Sequence, residues 1–207
     1  MKEVDIKSFP KVTVILRGYT YSQIRTIVKN LVGTKLQAVE ITMNTPDAIN
    51  IINKISQEFG DLVQIGAGTV TTYEEAEKSI KAGATFLLSP TMLSKEILDL
   101  CKEKNVVSVP GAYSPTEIKK CFEDGADIVK IFPAATLGSE YLSNIQAPLG
   151  ILPLMVVGGI NSENVSDYFK AGALFAGIAS GIFDKNDILN ENEESLKQSI
   201  EYFESKI

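Results

Sequence analysis

The sequence has no histidine among its 207 residues. That absence removes Ser-His-Asp and Cys-His catalysis and the commonest metal ligand. Any general base must then be Asp, Glu, Lys, Tyr or Cys. Cysteine is scarce as well. Cys101 and Cys121 lie in apolar, helix-periodic segments flanked by Lys and Glu, which reads as two buried thiols rather than a disulfide or redox pair. No apolar run is long enough to span a bilayer, and Met1–Asp5 lacks the apolar core of a signal peptide, so a cytoplasmic location is expected. Positive charge is in deficit: 20 Lys and Arg against 26 Asp and Glu give a formal net charge of -6. Nucleic acid is therefore a poor partner. A small anion is not excluded, because a pocket can be positive on an acidic protein.

What is present is ordinary for a soluble domain: 44% hydrophobic and 22% charged residues. The length suits one domain over 1–207 with one core. Along it one plan repeats: a short β-rich run, a polar turn, an amphipathic helix, then Gly or Asn. Strands are expected at 12–17, 36–42, 62–65, 84–88, 106–109, 127–132, 152–157 and 174–178. Between them lie helix starts of capping-box type, Thr20 with Gln23, Thr72 with Glu75, and Ser114-Pro115 with Glu117. Thr45-Pro46 reads as another N-cap, and Asn161 as the start of a helix to Lys170. The joint Lys81-Ala82-Gly83-Ala84 recurs as Lys170-Ala171-Gly172-Ala173, and more loosely as Glu123-Asp124-Gly125-Ala126. Strict alternation of this kind predicts an α/β fold, a single (β/α)8 TIM barrel. The rival is a doubly wound open sheet. It is disfavoured because no G-x-G-x-x-G follows the first strand.

In such a barrel the chemistry gathers at the C-terminal ends of the strands. Side chains alternate between the interior and the helix layer. Lys130 is the only cation in the apolar run Ile128-Val129-Lys130-Ile131-Phe132-Pro133. Burial favours its neutral amine, the form that attacks a ketone. A snorkelling lysine or a structural ion pair would occupy the same place. Glu40, between Val39 and Ile41, faces the interior and is either a general acid/base or a counter-ion for Lys130 or Arg17. Arg17 ends the first strand on the interior face, where it can clamp a carboxylate or make a structural salt bridge. Gly66-Ala67-Gly68-Thr69 offers close backbone approach to a ligand and a hydroxyl. Gly158-Gly159 and Ser180-Gly181 end strands seven and eight, the usual phosphate loops of this fold, though glycines also make plain turns.

The set Ile15-Leu16-Arg17-Gly18, Val39-Glu40-Ile41-Thr42, Gly66-Ala67-Gly68-Thr69-Val70, Ser89-Pro90, Val109-Pro110-Gly111, Lys130-Ile131-Phe132-Pro133 and Gly158-Gly159-Ile160 resembles the KDPG/KHG aldolase family, in order along nearly the whole chain. Those enzymes cleave 2-keto-3-deoxy-6-phosphogluconate, its galactonate epimer, or 4-hydroxy-2-oxoglutarate. The resemblance implies a class I aldolase, a homotrimer without metal or cofactor. It makes Lys130 the imine-forming residue and Glu40 the acid/base. It makes Thr69 a contact of the substrate carboxylate, Phe132 a neighbour of the imine, and Gly158, Gly159 and Ser180 the phosphate site.

Two departures stand out. Many gluconate-type members carry arginine where this chain has Asn44, and often threonine where it has Val157. Arg17 can supply the missing charge, and both changes resemble the phosphogalactonate branch. An isomerase or synthase of the phosphate-binding-barrel type, or a non-catalytic sugar-phosphate sensor, would share the two glycine loops without needing Lys130 as nucleophile.

Overall fold

The computed structural model describes residues 6–207; the Met1–Asp5 segment read for a signal sequence lies outside them. The elements run β1 Val12–Leu16, α1 Tyr21–Leu31, β2 Ala38–Thr42, α2 Ala48–Phe59, β3 Gln64–Gly68, α3 Tyr73–Lys81, β4 Phe86–Leu88, α4 Lys95–Lys104 and β5 Val107–Val109. There follow β6 Gly111–Ala112, α5 Pro115–Glu123, β7 Val129–Ile131, α6 Ala134–Leu137, α7 Glu140–Leu149, β8 Leu154–Val157, α8 Val165–Lys170, β9 Phe175–Ile178, α9 Lys185–Leu189 and α10 Glu193–Glu204.

The strands form one parallel sheet in the order β5-β4-β3-β2-β1-β9-β8-β7-β6. Its two ends, β5 and β6, are successive pieces of one path interrupted at Pro110, which has no N–H to give a ladder. Val109 O accepts from Ser89 N on one side, and Pro110 O accepts from Lys130 N on the other, at 3.1 and 2.8 Å. The sheet therefore closes into the expected barrel: nine segments make eight staves. Beside the seam, Asp127 Oδ2 accepts from both the N–H and the hydroxyl of Ser108 at 2.8 Å.

The three capping boxes read from sequence all form, at Thr20, Thr72 and Ser114. The three repeated joints are one turn used three times. Gly83, Gly125 and Gly172 have φ of 106°, 102° and 104°, a region closed to most side chains. The next residues, Ala84, Ala126 and Ala173, each donate back to the helix across 3.0 Å, as in a Schellman end.

Several local readings need correction. Thr45 does not cap α2. Its hydroxyl accepts from Gly18 N and meets Thr42 Oγ1, tying the β1 and β2 ends together, while Asp47 takes the cap position. The third strand starts later and runs through the glycines to Gly68 rather than ending at Ile65. The helix after Asn161 begins only at Val165, because Asn161 Oδ1 accepts from Glu163 N and Asn164 N in a preceding turn.

Strand alternation sorts the apolar side chains into two cores. Val12, Val14, Leu16, Val39, Ile41, Ile65, Ala67, Val129 and Ile131 face the helices. Ile15, Ala38, Phe86, Leu88, Val107, Val109, Ile128, Met155, Val157 and Phe175 fill the barrel. At the N-terminal end the ring of Phe9 meets Phe86 and Phe175 edge-on, with centroids 5.2 and 5.7 Å away. Burial of such rings is worth about 25 cal/mol per Å2 of apolar surface removed from water. Cys101 and Cys121 are free and buried, as expected, and burial pushes their thiols up to about 12 and about 11. Among the described residues no helix is long and apolar enough to cross a membrane.

Candidate active site

Register fixes which side chains share the barrel interior. Glu40 stands between Ile15 on β1 and Gly66 on β3. Lys130 stands between Gly111 on β6 and Met155 on β8. Both charged groups are thus in phase with the interior core and not with the helix layer. Lys130 is 5% exposed and Glu40 1%. Such burial penalises whichever form is charged.

The direction of each proton equilibrium follows. Burial pushes Lys130 below the usual lysine range; the Glu40 carboxylate opposes this, and the Arg17 guanidinium adds to it. Burial pushes the Glu40 carboxyl above the usual carboxylate range, against the pull of Lys130 and Arg17. The two groups therefore sense each other, and each is moved toward its neutral form. Glu40 Oε2 and Thr13 Oγ1 are buried with no hydrogen-bond partner. Thr13 is on the same interior face of β1 as Ile15. Its hydroxyl carries no warning in the sequence, where a strand threonine is unexceptional.

Around this pair the strand ends supply a polar rim. Arg17 Nη1 donates to Asn44 Oδ1 at 2.8 Å and to Thr69 Oγ1 at 3.4 Å, so the ends of β1, β2 and β3 meet at one guanidinium. Thr69 has φ 58°, a conformation a β-branched residue rarely adopts and one that clusters at functional sites. Phe132 is 36% exposed, and the Lys130 Nζ lies 4.8 Å from its ring centroid. That distance lets the ring face stabilise a cation there.

The two glycine loops join this rim. A Cβ on Gly158 would lie 3.1 Å from Pro133 Cα and 3.2 Å from Phe132 Cδ2, so the loop after β8 abuts the end of β7. A Cβ on Gly181 would lie 2.7 Å from Asn161 Cα, so the loop after β9, which carries exposed Ser180, packs on the same loop. Gly158 and Gly159 have φ of 94° and 75°. Every site residue expected from sequence thus lies at the C-terminal mouth or just beneath it. Beside them runs a groove of about 340 Å3 between Pro90, Thr91, Tyr113, Glu117 and Phe132. Thr91 and Tyr113 went unnoticed in the sequence. Both follow strand ends, which was the only signal they offered.

One reading changes. The glycines of Gly66-Ala67-Gly68 were expected to admit a ligand to the backbone. Instead the protein's own side chains fill those spaces, the Phe86 ring against Gly66 and the Glu40 side chain against Gly68. Among the described residues no group of three His, Cys, Asp or Glu side chains could hold a metal ion.

The model of the family described as KDPG and KHG aldolase matches residues 4–199. A probable 2-dehydro-3-deoxy-6-phosphogalactonate aldolase of Rhizobium meliloti (strain 1021) is 32% identical over 170 residues, 82% of this chain and 80% of its own. A 2-dehydro-3-deoxy-phosphogluconate aldolase of Treponema pallidum (strain Nichols) is 34% identical over 143 residues, 69% of this chain and 67% of its own. Among solved structures, a KDPG aldolase from Legionella pneumophila, with pyruvate captured at low pH as a covalent carbinolamine intermediate, superposes with a TM-score of 0.83. It is 26% identical and the match covers 92% of each chain.

Proposed function

This chain belongs to the KDPG and KHG aldolase family, and we propose that it cleaves a 2-keto-3-deoxy-6-phospho sugar acid to pyruvate and glyceraldehyde 3-phosphate through an imine on Lys130. The observation that carries this is the amine itself: a lysine 5% exposed, inside an apolar barrel, with burial moving it toward the neutral base. The pyruvate carbinolamine of the Legionella pneumophila relative supports the same chemistry here.

The Lys130 amine adds to the C2 ketone, and loss of water gives a protonated imine. Glu40, directly or through water, takes the C4 hydroxyl proton. The C3–C4 bond breaks, its electrons pass into the imine, and C4 becomes the aldehyde of the departing glyceraldehyde 3-phosphate. The enamine left on Lys130 takes a proton at C3, and hydrolysis frees pyruvate and the amine. Phe132 packs beside the imine nitrogen. Arg17 and Thr69 hold the substrate carboxylate, and the 2.8 Å bond from Arg17 to Asn44 supports the idea that it supplies charge at that position. The phosphate is held by Gly158, Gly159 and Ser180, whose two loops touch. 4-Hydroxy-2-oxoglutarate, split to pyruvate and glyoxylate, is a second substrate of the same machinery.

Within this class we favour the galactonate epimer. Val157 lines the interior directly below the glycine loop and offers no hydroxyl to read stereochemistry. We also take the working form to be a cytoplasmic homotrimer, as the sequence resemblance implies. Apolar side chains left in solvent, Ile151 at 88% and Leu174 at 42% exposed, are suited to a protomer contact.

Borohydride reduction in the presence of pyruvate tests the proposal. Wild type is expected to gain a pyruvyl adduct on Lys130, and Lys130→Ala to lose both adduct and cleavage. Full cleavage by Lys130→Ala would sink the mechanism, whereas a wild-type protein with neither adduct nor cleavage would favour the isomerase or sensor readings. Pyruvate release from both phosphorylated epimers and from 4-hydroxy-2-oxoglutarate ranks the substrates.

A further inference from the structure

Gly66 and Gly68 both turn a missing side chain into the barrel, because Ile65 and Ala67 pack against the helices. Neither has a positive φ, so the backbone conformation alone would accept alanine at both. What excludes a side chain is the neighbour in the gap. At Gly66 that neighbour is the Phe86 ring, an ordinary packing contact. At Gly68 it is the Glu40 side chain: an added Cβ would stand 2.5 Å from Glu40 Cγ, and nearer still to the carboxyl carbon and Oε1.

The register makes this contact directional. Glu40 is paired with Gly66, and Thr42 with Gly68. The Glu40 side chain therefore leans along β3 toward the C-terminal mouth and comes to rest on the backbone of Gly68. A second, independent observation bears on the same carboxylate. Its Oε2 is buried and has no hydrogen-bond partner. Buried carboxylates are ordinarily held by donors, so on that side shape is left to hold this one.

We propose that Gly68 is a positioning residue, whose bare Cα is the seat that keeps the Glu40 carboxylate raised toward the barrel mouth. This rests on the reading of Glu40 as the acid/base. A methyl group at position 68 turns the carboxylate out of its seat while leaving Lys130 and the imine untouched.

The test uses four purified variants: Glu40→Gln, Gly68→Ala, Gly68→Ala with Glu40→Asp, and Gly68→Ala with Glu40→Ala. Gly68→Ala is expected to keep the borohydride-trapped pyruvate adduct, yet to cleave about 100-fold more slowly or worse. Adding Glu40→Asp, which shortens the acid by one methylene, is expected to recover about tenfold of that loss. A merely structural glycine would not be rescued by shortening residue 40. If Gly68→Ala cleaves like wild type while Glu40→Gln is slow, the seat is wrong and the acid/base role stands. If Glu40→Gln itself cleaves like wild type, both fall. Should Gly68→Ala fail to fold, the variant that also carries Glu40→Ala decides. Recovery of folding supports the seat, because the clash has been removed at its partner. Continued failure overturns it.

Discussion

Arg17 Nη1 donates to Asn44 Oδ1 across 2.8 Å, so a cation from the end of β1 stands over the loop that follows β2. A charge-assisted hydrogen bond to a carboxylate is worth about 1.5–3 kcal/mol, so Arg17→Met should raise KM about 10- to 100-fold. Its kcat should fall less, because a clamp binds ground state and transition state alike. The swap Arg17→Asn with Asn44→Arg should restore much of the affinity. Steady-state kinetics decide, and an unchanged KM in Arg17→Met would remove the clamp.

The pH dependence of imine formation separates the charges around Lys130. Burial lowers its proton affinity, so the rate of pyruvate capture should rise with pH through a midpoint below the free-lysine value of about 10.4. The Glu40 charge holds the proton on, so Glu40→Gln should move the midpoint lower. The Arg17 charge drives the proton off, so Arg17→Met should move it higher. Timed samples quenched with borohydride give the curves. Shifts in the same direction for both variants would contradict this electrostatic picture.

Stability should respond to Glu40 in the opposite sense to the usual carboxylate. Its folded-state proton affinity is raised by burial, so the folded protein binds the proton more tightly than the unfolded chain. Below about pH 4.3, the free glutamate value, the carboxyl is neutral in both states and costs nothing extra. As pH rises from there through the folded-state value, the buried charge increasingly destabilises the fold. Glu40→Gln should therefore melt higher than wild type at pH 8 and lose that advantage toward pH 4. A gain of about 1 kcal/mol would read as about 2–4 °C in a chain of this size. A lower Tm at pH 8 would reverse the argument.

The glycine loops can be tested by a substrate that lacks the group they are read to hold. Gly159 has φ 75°, and an added Cβ would collide with Ala135 Cβ. Gly159→Ala should displace the loop and raise KM for phosphorylated substrates about tenfold or more, since good charge-assisted contacts are lost. The KM for 4-hydroxy-2-oxoglutarate, which has no phosphate, should change little. Equal losses on both would mean that the loop shapes the barrel rather than binding phosphate.

Much of this was legible in the sequence because local and global signals agreed. Capping boxes at Thr20, Thr72 and Ser114, and the repeated Gly83, Gly125 and Gly172 joints, mark unit boundaries that tertiary packing leaves in place. Lys130 and Glu40 stood out because a charge amid β-branched neighbours breaks the binary pattern. Where reading failed, a long-range partner had overruled a local preference. Gly66 and Gly68 looked like an opening for a ligand beyond the strand, but they belong to β3, where Phe86 and Glu40 occupy their empty faces. Thr45 looked like a cap, but Gly18, from another segment, claims its hydroxyl. Such pairings are set by distant residues, and no window of sequence contains both partners.

The rings of Phe9, Phe86 and Phe175 cork the base of the chamber. Arrivals and departures are thereby sent through the opposite doorway, and traffic through one doorway forms a queue. With the proposed imine on Lys130, the three-carbon fragment would stand at the back of it. With the phosphate held at the rim loops as proposed, the phosphorylated aldehyde would walk out first, and in the synthetic direction pyruvate would have to be seated before its partner could follow.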